Sequence, residues 1–113
     1  MKQINIALFQ CSAIQRSMDQ VYRDLENAFK KASKMKVDLI VTPELYLSGY
    51  SNSKIIKKIA QTKNSIILKN ISQLAKKFQI GLVLGYPEKV GSKIYNSAIV
   101  FDEKGNQIFN YRK

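Results

Sequence analysis

The chain has 113 residues, 45% of them hydrophobic and 24% charged, which is typical of one globular domain or part of one and unlike a disordered chain. The absence of histidine excludes Ser–His, Cys–His and His–zinc sites within these residues, and the single cysteine, Cys11, excludes an internal disulfide. The net charge of +11 would attract polyanions, but the lysines are scattered over predicted polar helix faces, so no specific nucleic-acid partner is expected.

The hydropathy pattern indicates where in the cell the protein is expected. No apolar run approaches the roughly 20 residues that a membrane-spanning helix needs. The apolar stretch at residues 4–9 is too short for the core of a signal peptide, and no small-residue cleavage site follows it. We therefore expect a cytoplasmic protein without a membrane partner, and a single thiol fits a reducing compartment.

The first third of the chain predicts a strand, a helix and a second strand. Residues 3–10 alternate and then become apolar, which predicts a buried strand. Ser17 and Gln20 resemble a capping box, and the apolar residues after them repeat at helical spacing: Val21, Leu25, Ala28, Phe29, Ala32 and Met35. Residues 37–42 are a short β-branched run that ends at Pro43, which predicts the second strand.

A loop and two helices are predicted next. Residues 44–53 are loop-like, with Gly49 as the pivot. A short helical turn over residues 54–60 precedes a full helix at about residues 64–78, whose apolar residues share one face: Ile67, Ile71, Leu74 and Phe78.

The last third predicts three strands. Residues 80–85 are continuously apolar, which is typical of a central strand buried on both faces. Residues 95–101 and 107–111 flank Asp-Glu-Lys-Gly at 102–105, which predicts a hairpin. The whole order predicts an α/β fold, a mixed sheet with helices on one face or both. Because the chain stops directly after a strand, we expect a single truncated domain over residues 1–113.

Glu44 is the first candidate for chemistry. It follows the second predicted strand, and the carboxyl ends of strands in α/β sheets are where catalytic groups gather. Because its sequence neighbours include Val41, Leu45 and Leu47, we expect burial to raise its pKa toward the working range of a general base. The alternative is a solvated glutamate that caps the turn after Pro43.

Lys113 and Cys11 are weaker candidates. Lys113 follows the last strand and could stabilise an oxyanion at the same edge of the sheet, although plain surface lysines are more common. Cys11 follows the first strand, and a nucleophilic thiol needs a base or a positive environment. Its sequence neighbours supply neither, so we expect Cys11 to be buried against the first helix and slow to react.

Several of these residues belong to longer patterns. The chain resembles the nitrilase-like carbon–nitrogen hydrolases at four places, in the family's order: the opening strand at 4–10, Asp-Leu-Ile-Val and Pro-Glu-Leu-Tyr-Leu-Ser-Gly-Tyr at 38–41 and 43–50, Gly-Tyr-Pro-Glu and Ile-Tyr-Asn-Ser-Ala at 85–88 and 94–98, and Tyr-Arg-Lys at 111–113. A proline–glutamate pair alone is a weak signal, whereas these ordered matches cover the whole chain.

The resemblance implies the N-terminal part of an α-β-β-α sandwich and a Glu–Lys–Cys triad. By that similarity Glu44 is the general base, Lys113 stabilises the tetrahedral intermediate, and Tyr50 contacts the substrate. The family's cysteine attacks an amide, carbamoyl or nitrile carbon and leaves a thioester that water hydrolyses, and no metal or organic cofactor is implied.

The same resemblance places the nucleophile outside this chain. The family's cysteine motif lies beyond its lysine motif, and Cys11 does not match it, so we expect the 113 residues alone to be inactive. The family's second active-site glutamate also lies downstream, so Glu88 is not that residue.

An amidase-like hydrolase acting on a non-peptide C–N bond is the leading prediction. Residues 45–50 are closer to amidases and carbamoyl amidases than to true nitrilases, although the glutamine-amidohydrolase domain of NAD synthetases opens similarly. An unpaired sheet edge and an uncovered core favour self-association, so a homo-oligomer is expected. The alternatives are a non-catalytic truncated paralogue or interaction fragment and, from net charge alone, a basic anion-binding protein.

Overall fold

A computed structural model describes residues 3–113 and contains three helices and five strands in those residues. In chain order these are β1 (Ile6–Leu8), α1 (Met18–Lys34), β2 (Leu39–Val41), α2 (Ser53–Ile59), α3 (Ile66–Phe78), β3 (Gly81–Val90), β4 (Lys93–Phe101) and β5 (Gln107–Arg112). The strands form one sheet in the order β1-β2-β3-β4-β5. The first three strands run parallel and the last three antiparallel, so the predicted mixed α/β sheet is confirmed. Within residues 3–113, no helix has the length and hydropathy that a bilayer crossing requires.

Polar side chains set where the helices begin. Ser17 Oγ accepts a hydrogen bond from the Gln20 N–H at 3.1 Å, which is half of the predicted capping box. The Gln20 side chain donates instead to Asp24 at 2.7 Å. Asn52 and Ser65 cap α2 and α3 in the same way as Ser17 caps α1. Each cap satisfies an N–H group that the first helical turn leaves unpaired, and the helix therefore starts at that point.

The core lies between one face of the sheet and the helices α1 and α3. Because side chains alternate along a strand, residues paired across the sheet share a face. One row contains Ile40, Leu82 and Phe101, the next contains Leu84 and Ile99, and all five are at most 3% exposed. They pack in one cluster with helix residues that include Val21, Leu25, Phe29, Leu68, Ile71 and Leu74.

The opposite face of the sheet is apolar and largely uncovered by the described residues. We call it the open face, and it contains Leu8, Val41, Val83, Val100 and Phe109, paired in one row across all five strands, together with Tyr111. Leu8 is 70% exposed and Phe109 is 60% exposed. The described residues thus supply one helix layer and one sheet, and the implied α-β-β-α sandwich would place its second sheet here.

β1 differs from the prediction of a buried strand over residues 3–10. It is only three residues long, and Ile6 and Leu8 are 57% and 70% exposed. Two features explain this exposure: β1 is an edge strand, and its alternate side chains lie on the open face. Only Ala7 of this strand packs against the core, while the Asn5 N–H bonds the Asp38 carboxylate at 2.8 Å instead of extending the ladder.

β3 continues well past the predicted end at Gly85. It runs through Pro87 and Glu88 to Val90 and turns at Gly91 into β4. A prediction based on hydrophobic runs stops where polar residues begin, and the pairing with β4 is what keeps this second half extended. Residues 85–88 and 94–98, which carry one of the motif matches, thus lie on the two strands of a hairpin.

Candidate active site

Glu44 lies in a tight turn at the carboxyl end of β2, and the turn is fastened to β3 at Gly85. The Gly85 N–H donates to Thr42 Oγ1 at 3.0 Å, and the Gly85 carbonyl accepts from the Leu47 N–H at 3.1 Å. A Cβ at position 85 would lie 2.3 Å from the Pro43 carbonyl oxygen. Only glycine therefore allows the turn to approach the strand this closely.

The backbone of this turn adopts rare conformations. Leu45 has a φ of 51°, in the left-handed region, which costs a non-glycine residue about 1–2 kcal/mol. Gly49, the predicted pivot, has a φ of 68°, and a Cβ there would lie 2.5 Å from the Ile14 carbonyl oxygen. Strain of this kind persists only where the surroundings impose it, and it is concentrated at functional sites.

The carboxylate of Glu44 is the centre of a small polar cluster. Lys113 Nζ donates to Glu44 Oε1 at 3.0 Å, and the Tyr50 hydroxyl donates to Oε2 at 2.7 Å. The Asn96 backbone carbonyl accepts from the Lys113 N–H at 2.9 Å, and the Asn96 side chain helps to lower the pKa of Glu44. Glu44 and Lys113, 69 positions apart in sequence, thus meet at the carboxyl ends of β2 and β5.

The pKa of Glu44 is lowered, which corrects the expectation that burial would raise it. The hydrogen bonds from Tyr50, Lys113 and Asn96 lower this pKa from 4.5 to about 2 and outweigh desolvation. The expectation was wrong because the apolar sequence neighbours do not surround the carboxylate: Leu47 is fully buried, whereas the Glu44 side chain is 40% exposed. Glu44 is consequently ionised at neutral pH.

Tyr50 and Asn96 have contacts that sequence reasoning missed. Tyr50 was expected only to contact substrate, but its hydroxyl is committed to Glu44, and this hydrogen bond raises the pKa of Tyr50. Asn96 was part of a recognised motif without a role. It pairs with Pro87, two residues along β3 from Gly85, so its side chain lies on the face that the Glu44 turn approaches. The pairing register of β3 and β4 is therefore the signal that would have placed Asn96 beside the Glu44 turn.

Cys11 is exposed, so the expectation that it is buried against the first helix is wrong. The reason is that β1 ends at Leu8 and α1 begins at Met18, which leaves the thiol on a connecting segment rather than in the helix interface. Cys11 lines a pocket of about 20 Å³ with Arg16, Glu44 and Tyr50 among others, a volume that holds about one water molecule.

This exposure predicts rapid modification of Cys11. We expect a neutral thiol reagent such as iodoacetamide to react with the native protein at nearly the rate it shows with the urea-unfolded chain, because no packing shields the sulfur. The measurement is the alkylation rate by mass spectrometry, with and without denaturant. A native rate far below the unfolded rate would contradict the exposed position.

Larger grooves lie elsewhere on the molecule. Three have volumes of about 690, 560 and 430 Å³, and neither Glu44 nor Lys113 lines any of them. Among the described residues, no three Cys, Asp or Glu side chains are grouped so as to hold a metal ion. The groups in direct contact with the Glu44 carboxylate are the Lys113 ammonium group and the Tyr50 phenol.

The order of these elements and motifs can be compared with known proteins. Residues 5–113 match the family model described as carbon–nitrogen hydrolase. The chain belongs to the carbon–nitrogen hydrolase family. It is 32% identical over 108 residues to the protein N-terminal amidase of Saccharomyces cerevisiae, covering 92% of this chain and 24% of that protein.

Solved amidase structures share the fold of this carbon–nitrogen hydrolase chain. An N-terminal amidase with a Gln-Gly peptide superposes with a TM-score of 0.82 and 33% identity, over 97% of this chain and 27% of that one. An amidase from Nesterenkonia sp. gives a TM-score of 0.85 and 25% identity, over 97% of this chain and 42% of that one. The family expected from the motifs is thereby confirmed, and the chain spans less than half the length of these relatives.

Proposed function

We propose that this chain is part of an amidase-like hydrolase in which Glu44 is the general base and Lys113 stabilises the oxyanion. The observation that carries the proposal is the 3.0 Å contact between Lys113 Nζ and Glu44 Oε1 at the carboxyl end of β2, in a chain of the carbon–nitrogen hydrolase family. The nucleophile is a cysteine supplied from outside residues 1–113, because Cys11 does not match the family's motif.

The reaction divides into two steps of ordinary amide chemistry. In the first, the cysteine thiol gives its proton to Glu44 as its sulfur attacks the amide carbon, and the oxyanion that forms is stabilised by the Lys113 ammonium group. Glu44 then returns the proton to the leaving nitrogen as the C–N bond breaks. In the second step water hydrolyses the thioester, with Glu44 again taking and returning a proton.

The low pKa of Glu44 adds a condition to this scheme. A carboxylate with a pKa of about 2 is a much weaker base than an ordinary thiolate, so the lowered pKa opposes proton transfer from the thiol to Glu44. The barrier falls if the hydrogen bonds that depress the pKa weaken during the reaction. A turn of the Lys113 ammonium group from Glu44 to the oxyanion does this, and its 73% exposed, flexible side chain permits the movement.

The proposed substrate is a small-molecule amide. The relatives named above are amidases, and one was solved with a Gln-Gly peptide. Tyr50 is 54% exposed beside Glu44, so it can contact the substrate while its hydroxyl holds the carboxylate. Carbamoyl and nitrile compounds are the related substrates that an assay should include.

Amide hydrolysis by two forms of the protein tests this proposal. We expect the 113-residue chain alone to release no ammonia above the buffer rate, and the same chain extended through the family's cysteine motif to be active. Without a nucleophile, a base and an oxyanion stabiliser activate only water, and the residues of such a triad act as a unit.

A Cys11→Ser variant of the 113-residue chain completes the assay. Robust turnover by the chain alone that disappears in this variant would make Cys11 the nucleophile and overturn the proposed assignment. Absence of turnover from the extended protein with amides, carbamoyl compounds and nitriles would favour a non-catalytic member of the family.

A further inference from the structure

Glu88 is a buried carboxylate outside the Glu44 cluster. It lies on β3, on the helix side of the sheet, and is 1% exposed. Glu88 Oε1 accepts hydrogen bonds from Ser97 Oγ at 2.8 Å and Asn110 Nδ2 at 3.0 Å. Asn110 is held in turn by the Tyr86 hydroxyl, which donates to its Oδ1 at 2.7 Å. A buried carboxylate with this many fixed partners is a rigid anchor.

The partner that this anchor holds most firmly is Arg112. Arg112 Nε donates to Glu88 Oε1 at 2.8 Å, and Nη2 donates to Oε2 at 3.0 Å. This paired contact fixes the orientation of the guanidinium group as well as its position. The same group lies 5.3 Å from the centre of the Tyr95 ring. Burial tends to raise the pKa of Glu88, but the hydrogen bonds from Arg112, Ser97 and Asn110 lower it overall, so the pair is ionic.

Arg112 ends β5, a strand that needs such an anchor. Among the described residues β5 pairs only with β4, and its side chains at 107–109 are exposed. The ends of edge strands fray unless something holds them. Lys113 follows Arg112 directly, and because successive side chains point to opposite faces, Arg112 reaches Glu88 on the helix side while Lys113 reaches Glu44 on the other.

We propose that Glu88 is a positioning residue which, by holding Arg112, keeps the adjacent Lys113 in contact with Glu44. The positioning of Lys113 is a property of the fold. The inference rests on the proposed function only where it gives the contact between Lys113 and Glu44 a role in catalysis. An ion pair with one buried member adds little net stability compared with apolar residues of the same size, because Glu88 loses its water while Arg112 remains 44% exposed. The ion pair also fixes the orientation of Arg112, the neighbour of Lys113, and apolar packing would not do this.

The test measures how readily the Lys113 amine reacts. The protein is treated with a trace amount of acetic anhydride at micromolar concentration and digested before aspartate residues. The fragment that starts at Asp102 then carries both Lys113 and Lys104, so exposed Lys104 serves as the internal reference. We expect Glu88→Gln and Arg112→Gln to raise the Lys113 to Lys104 rate ratio about two- to five-fold, the range expected when an exposed ion pair is released.

Two control variants bracket this result. Glu44→Gln removes the partner of Lys113 directly and sets the upper limit of the ratio. Glu26→Gln makes the same chemical change at a carboxylate that pairs with Lys77 at 3.8 Å on the helices, and it should leave the ratio unchanged. Circular dichroism establishes that each variant is folded at the temperature used. Because Glu88→Gln keeps its size and one acceptor oxygen, it is the milder of the two test variants.

The outcomes separate this inference from the proposed function. An unchanged ratio in folded Glu88→Gln and Arg112→Gln, with a raised ratio in Glu44→Gln, would overturn the positioning role whatever the amidase assay shows. A raised ratio in the test variants supports the role even if no form of the protein hydrolyses amides. In an active form, Glu88→Gln should then lower kcat more than it changes KM, because a displaced Lys113 weakens oxyanion stabilisation rather than binding.

Discussion

Replacement of Glu44 by glutamine in an active form of the protein should lower kcat about 10²- to 10⁴-fold, the range typical of losing a general base. Glutamine has nearly the same size, and its one acceptor oxygen can keep the hydrogen bond from Tyr50 while its NH2 group cannot accept from Lys113. The turn should stay folded because its backbone contacts with Gly85 do not involve this side chain. Glutamine cannot take the proton of a thiol. The measurement is ammonia release at saturating amide, and KM should change little because the lost interaction belongs to the transition state.

Glu103→Gln is the matched control for this substitution. Glu103 is exposed in the turn between β4 and β5, so its replacement removes the same charge without touching the cluster. Its kcat should equal that of the unchanged protein. If Glu44→Gln retained full activity, Glu44 would not be the base, and the contact with Lys113 would be an ordinary surface ion pair.

The lowered pKa of Glu44 also determines how activity and stability should depend on pH. The carboxylate is ionised at every pH well above about 2, so kcat/KM should show no acid limb from Glu44 near its ordinary value of 4.5. Tyr50→Phe removes the largest cause of the lowered pKa and should move that limb upward. The charged hydrogen bonds stabilise the fold above the ordinary pKa, and this contribution is lost as the pH falls through about 2.

Gly85→Ala should have the largest effect on stability among small substitutions near the site. The added Cβ would lie 2.3 Å from the Pro43 carbonyl oxygen and 2.8 Å from the Leu45 amide nitrogen, and neither backbone atom moves without the turn. We expect the free energy of unfolding to fall by about 1–3 kcal/mol, as for other overpacked sites. Urea denaturation monitored by circular dichroism measures this change.

Gly81→Ala on the same strand is the control. Its added Cβ would lie 3.1 Å from Leu39 Cδ1, the end of a flexible side chain, and 3.2 Å from the Phe101 carbonyl oxygen, so a smaller loss of stability is expected. Gly85→Ala should also release the Lys113 amine from Glu44, since the turn that carries Glu44 must shift. Equal stability of the two variants would show that the turn yields easily and does not fix Glu44.

Local patterns predicted most of the fold. The helical spacing from Val21 to Met35 and the cap at Ser17 located α1 almost to the residue, because both signals act within one or two turns. The motif at 43–50 placed Glu44 at the end of β2, and Gly49 adopts the positive φ expected of a pivot. The resemblance paired Glu44 with Lys113, which no spacing argument could do.

The errors arose where tertiary packing decides the outcome. Ile6, Leu8 and Cys11 were expected to be buried because apolar sequence suggests a core, but burial depends on which face of the sheet the helices cover. The pKa of Glu44 was given the wrong direction because its hydrogen-bond partners come from three separate segments of the chain. The contact between Glu88 and Arg112 depends on the register of two hairpins, which the sequence pattern does not specify.

The open face has a thermal consequence for the site. Any surface that covers Leu8, Phe109 and Tyr111 will be held mainly by the hydrophobic effect, because these side chains offer few polar contacts. Such attachment carries a large negative change in heat capacity and weakens on cooling. Tyr111 lies on β5, two residues before Lys113, so a cover that loosens in the cold would leave the end of this strand held only by its pairing with β4 and by the contact between Arg112 and Glu88. Activity that depends on this strand would then be lost at low temperature sooner than the fold itself.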